Sequence, residues 1–192
     1  MRVLVVTASM VLFFQVGLGG EGALLPLLVT AHLGLAASSA GIAMLAVGLL
    51  GGLFLVFGGG AADRWGRRPI MVAGGVVTAL GFVLYATAGG FAQVLVATAV
   101  RALGAALIWP AATAWMAESM PRRRHALYMG LFGEFENVGV TLGPVLGGLA
   151  WSLAGIQAAF YAYAAAALVA ALIAAVMVDS GGRIPVEGAL TG

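Results

Sequence analysis

The sequence predicts an all-α membrane protein of six transmembrane helices, and three observations carry that reading. Charge is scarce, with nine basic and seven acidic residues among 192. Six apolar runs are each long enough to cross a bilayer, near 3–30, 38–61, 69–88, 91–117, 126–150 and 156–178. Outside those runs, arginine is confined to alternate connections.

The scarcity of charge excludes an ordinary soluble domain, where roughly a quarter of residues are charged. With 62% hydrophobic residues and a mean hydropathy of +1.09, the surface must face lipid. A pI near 9.5 does not indicate nucleic acid, because the arginines form short clusters between apolar runs rather than one stripe. Cysteine is absent, which removes disulfides and thiolate metal sites. Two distant histidines, His32 and His125, make no zinc site. No phosphate loop, H-E-x-x-H or G-x-S-x-G string occurs, so neither an enzyme nor a cofactor is expected.

Span 1 follows Met1 and Arg2 and is read as a retained helix, since more membrane-type sequence succeeds it. It carries Glu21, five residues before Pro26; Thr7, Met10, Phe14 and Glu21 share a face expected to line a cavity. Span 2 is rich in glycine (Gly41, Gly48, Gly51, Gly52 and Gly58 to Gly60), which lets helix backbones approach closely. Span 3 begins at Pro69, a residue suited to a first helical turn. Span 4 holds Arg101 about ten residues in, or ~15 Å deep at 1.5 Å per residue. Arg101, Ile108 and Trp115 recur every seven residues there, a stripe that either lines a cavity or packs. Span 5 holds Glu134 and Glu136, which point roughly 200° apart. Trp151, at its outer end, reads as an interface anchor. Span 6 is followed by a polar tail, 179–192, read as a cytoplasmic tail or the start of a central connection.

Arg2, Arg64, Arg67, Arg68, Arg122 to Arg124 and Arg183 all fall before span 1 or after spans 2, 4 and 6. The opposite loops have none. The positive-inside rule then places both termini in the cytoplasm of a plasma-membrane protein. A charge at bilayer depth costs several kcal/mol unless paired or hydrated. Glu21, Arg101, Glu134 and Glu136 are therefore the candidates for proton coupling or substrate contact, with either span 5 glutamate a possible partner for Arg101.

Two strings are more specific than composition. Gly59, Asp63, Arg64, Gly66, Arg67 and Arg68 fit G-x-x-x-D-R-x-G-R-R between spans 2 and 3. Asp63 can pair with a neighbouring arginine or cap span 3, and Gly66 allows a tight reversal. This resembles the loop signature of the major facilitator superfamily (MFS), where it acts as a conformational latch between helix ends of two halves. Gly139, Gly143, Pro144, Gly147 and Gly148 fit G-x-x-x-G-P-x-x-G-G. That string resembles the fifth-helix motif of the drug/proton antiporters, which sits at the interface of the halves and limits leakage. Arg101, with Gly104 after it, resembles their fourth-helix arginine, although the glycine pattern is incomplete.

The resemblance implies the amino-terminal half of such a transporter, residues 1–178, built of two inverted three-helix repeats. It also implies proton-coupled efflux of small molecules by alternating access. The expected partners are a small-molecule substrate, protons, the lipid bilayer, and a second six-helix half or a second copy. The alternatives are an uptake carrier or uniporter for a metabolite, or a non-transporting truncated half acting as a membrane scaffold.

Overall fold

The computed structural model describes residues 2–119 and 124–176, with side chains from Leu4 onward. The side chain of Arg2, residues Arg122 and Arg123, and the expected tail with Arg183 lie outside this description. The described chain is helical: α1 (Arg2–Leu27), α2 (Ala37–Trp65), α3 (Arg67–Ala86), α4 (Phe91–Ser119), α5 (His125–Ala154) and α6 (Ile156–Val176). All six are long and apolar enough to cross a membrane.

Local chemistry sets the ends. Pro26 does not stop the first span; the chain continues in one π-helical turn, Leu28–His32, and Thr30 donates its hydroxyl to Pro26 O at 2.7 Å. Gly34, at φ 66°, then turns the chain. α2 runs to Trp65, so Asp63 and Arg64 belong to its last turn. The single residue Gly66 reverses the chain at φ 89°, where any side chain would be strained. Gly155 does the same between α5 and α6 at φ 86°.

The helices form a row of neighbours, α2–α4–α3–α6–α1–α5. Its two halves correspond: α1 packs along α5 as α4 packs along α2, α6 packs on α1 as α3 packs on α4, and α3 meets α6. These are the contacts expected of two three-helix repeats in opposite orientation. α2 and α5, at the ends of the row, are least covered, with 11% and 17% of their apolar stretches buried against 44–56% elsewhere.

Glycine sets the close approaches. A methyl group added at Gly74 or Gly104 would collide across the α3–α4 contact, and one at Gly58 would meet the backbone of Ala106. Two apolar cores result. One, around Leu25, Phe82, Tyr85, Phe160 and Tyr163, lies towards the α3–α4 turn. The other, around Met10, Met71, Ile108 and Met116, lies towards the α2–α3 turn. Outside them the surface is leucine, valine and phenylalanine, as on Leu45, Leu49, Val56 and Phe57 of α2, a surface fit for lipid or another apolar helix.

Candidate functional site

The short connection between α3 and α4 fixes an antiparallel register. Steps of three or four residues along α3 match equal steps along α4: Tyr85 meets Thr98, Gly81 meets Arg101, Thr78 meets Gly104 and Gly74 meets Ile108. Gly81 lies directly against the backbone of Arg101, so the α3 surface is hollowed where the guanidinium leaves α4.

Arg101 turns into the bundle, 4% exposed, and its Nε donates to Glu21 Oε1 at 2.9 Å. Glu21 is 3% exposed. Tyr85 donates its hydroxyl to the same oxygen at 2.8 Å and lies 2.8 Å from Thr98 Oγ1, which donates to Val94 O. Three helices thus converge on one carboxylate. Breaking such a pair leaves a bare buried charge, a loss of about 3–5 kcal/mol, whereas the intact pair contributes little net stability over apolar residues. Arg101 Nη2 is buried and lacks a hydrogen-bond partner among the described residues, so the guanidinium retains unused N–H donors.

Several expectations are corrected by this arrangement. Thr7, Met10 and Phe14 share the face of Glu21, but all are buried inside the bundle rather than lining an open cavity. The stripe of Arg101, Ile108 and Trp115 is likewise interior packing. Arg101 pairs with neither span 5 glutamate. Glu136 is half-buried and accepts from Gln15 Nε2 at 2.8 Å, which ties α5 to α1. Glu134 is exposed on the opposite side of α5. Tyr85 and Thr98, the polar partners that sequence reasoning missed, were legible only through the register of the α3–α4 hairpin.

At the α2–α3 turn, Gly59 is half-buried with open space beside it. Asp63 neither caps α3 nor pairs with an arginine among the described residues; it is exposed in the last turn of α2. Arg64 lies over the ring of Trp65, 5.6 Å from its centroid. Arg67 forms an ion pair with Glu118 at 2.5 Å, joining the α3 start to the α4 end. Arg68 donates to Ala175 O near the end of α6. The two arginines therefore draw three helix ends together around Gly66.

The α5 glycines have a partner inside the chain. Gly139 lies against Leu12 and Gln15, and Gly143 against Val16, Gly19 and Gly20. Gly147 lies against Leu24 and the hydroxyl of Tyr163. Tyr163 donates to Gly143 O at 2.9 Å. Within this chain, α1 and α6 lie against these glycines, and the small residues Gly19 and Gly20 complement Gly143. Among the glycines of the motif, Gly148 alone faces open space.

A six-helix bundle of inverted repeats, with a paired carboxylate and guanidinium buried in it, has the build of a half of a secondary transporter. The family model of the Major Facilitator Superfamily matches residues 7–188, and the chain belongs to that family. It is an integral, multi-pass membrane protein of a transporter family, not an enzyme.

The chain is 34% identical over 115 residues to an uncharacterised MFS-type transporter of Mycobacterium tuberculosis, covering 56% of this chain and 27% of that protein. It is 28% identical over 142 residues to the quinolone resistance protein NorA of Staphylococcus aureus, covering 72% and 37%. Among solved structures, the peptide transporter POT bound to sulfate superposes with a TM-score of 0.80 at 22% identity, covering 89% of this chain and 36% of that one. A proton dependent oligopeptide transporter gives 0.82 at 20%, covering 93% and 42%. At these identities the likeness is one of fold. The chain spans well under half the length of these relatives.

Proposed function

We propose that this chain is one six-helix half of a proton-coupled efflux transporter working by alternating access in the plasma membrane, with both termini cytoplasmic. The observation that carries the reading is the buried Glu21–Arg101 pair: an ionisable pair withdrawn from water in a membrane bundle marks an ion or substrate pathway. Glu21 takes up and releases the proton. Arg101 holds the carboxylate when the proton has left, and Tyr85 orients it. The likeness to NorA, a quinolone resistance protein, supports a drug as the substrate class.

The turn at Asp63 to Arg68 acts as the latch, its exposed Asp63 and Arg64 placed to engage a partner half. That partner is a second six-helix half, or a second copy of this chain. Grouping of the α2–α3 turn with the ends of α4 and α6 supports the arginine-based orientation.

The test is efflux of ethidium from cells producing the protein, with and without a protonophore. The account expects protonophore-sensitive efflux that is lost in Arg101→Ala, with membrane insertion unchanged. Uptake, or efflux indifferent to both the protonophore and Arg101→Ala, would instead support the metabolite carrier.

A further inference from the structure

Gly143 and Pro144 belong to the fifth-helix motif, and Gly143 faces α1 at the turn that bears Glu21. Proline has no N–H, so Val140 O cannot receive its usual bond from position 144. Gly19 of α1 sits directly on that carbonyl, and a methyl group there would overlap it. One turn further, Gly143 packs against Gly19 and Gly20, the two residues before Glu21. Tyr163 of α6 completes the clamp. It is 1% exposed, its ring fills the space beside Gly20, and its hydroxyl donates to Gly143 O.

The clamp is continuous with the other support of Glu21. The rings of Tyr163 and Phe160 lie 6.1 Å apart, and those of Phe160 and Tyr85 5.3 Å apart. Tyr85 is the residue that donates to the carboxylate. The segment from Gly19 to Glu21 is thus held on one side by α5 and on the other by the aromatic cluster of α3 and α6.

We propose that Gly143 and Tyr163 are positioning residues for Glu21: the fifth-helix motif sets the depth and rotation of the α1 turn that brings the carboxylate to Arg101. The assignment rests on Glu21 being the proton site. The titratable and charged groups facing Glu21 are Arg101 from α4 and Tyr85 from α3, with Tyr163 of α6 across Gly20. From α5, Glu136 is engaged by Gln15, almost two turns along α1. Moving α1 by one methyl width changes the first two contacts without adding a charge.

The test is infrared titration of the Glu21 carboxyl band in the full chain reconstituted in lipid, with the band assigned by difference from Glu21→Gln. In Gly143→Ala the titration midpoint should move by about one pH unit or more, the shift that a lost charge-assisted hydrogen bond produces. Tyr163→Phe keeps the ring and loses only the hydroxyl, so it should fold and move the midpoint in the same direction by less. Gly148→Ala, on the open side of the same motif, should leave it in place.

Midpoints unchanged in both Gly143→Ala and Tyr163→Phe would overturn the proposal. So would an equal displacement in Gly148→Ala, which would point to a general effect of bulk on α5. The readout needs neither substrate nor partner half. Failure of the efflux reading would therefore appear separately, as a Glu21 band that titrates without any link to ethidium transport.

Discussion

The ion pairs Arg67–Glu118 and Glu21–Arg101 have opposite settings. Arg67–Glu118 ties helix ends at the α2–α3 turn, with side chains 20% and 61% exposed. Glu21–Arg101 is withdrawn from water, at 3% and 5%. In water, a surface pair gains a few tenths to about 1 kcal/mol and is screened by salt. Inside the bundle, desolvation opposes a strong attraction, and the pair is held only because Tyr85 and the guanidinium both donate to the carboxylate. A pair that adds so little net stability, yet is so damaging to break, is retained for what its charge does. The surface pair fastens helix ends; the buried pair is where the proposed mechanism exchanges a proton.

The largest effect should come from breaking the buried pair on one side. Arg101→Ala leaves Glu21 without its cation and should lower stability by about 3–5 kcal/mol, read as a fall in thermal unfolding temperature in detergent. The double variant Glu21→Leu with Arg101→Met should regain most of that loss. If Arg101→Ala unfolds like the parent protein, the pair is not the buried interaction described here. The smallest effect belongs to the other pair: Arg67→Ala should cost no more than about 1 kcal/mol, and less in high salt. A loss of several kcal/mol there, insensitive to salt, would erase the contrast.

The fold was legible because length, hydropathy and the placement of arginine are one-dimensional signals. Six spans followed from them, and the two motifs identified the family. The site was legible only in part. Periodicity put Glu21 on a face and Arg101 at depth, but a helical face does not name its neighbour, and these residues lie 80 positions apart. The span 5 glutamates stood as possible partners for Arg101, because nothing local separates Glu136 from Glu21. Only the row of helices, with α1 and α4 reaching towards each other past α3, decides between them.

Tyr85 was missed because nothing local to span 3 marks a tyrosine as the partner of a carboxylate on span 1. The short α3–α4 connection would have exposed it, since a tight helical hairpin sets which residues face each other. The α5 glycines show the same limit in reverse. G-x-x-x-G announces a close contact but not with whom. The glycines of α2 look much alike in sequence, yet Gly41, Gly48, Gly51 and Gly52 meet open space, while Gly139, Gly143 and Gly147 are filled by α1 and α6.

The central claim, that the buried carboxylate exchanges the proton, is tested most directly by proton release on adding ethidium to the purified protein in weakly buffered detergent. The account predicts release from the parent protein and from Arg67→Ala, and none from Glu21→Gln. Undiminished release from Glu21→Gln would contradict it and place the exchanging group elsewhere.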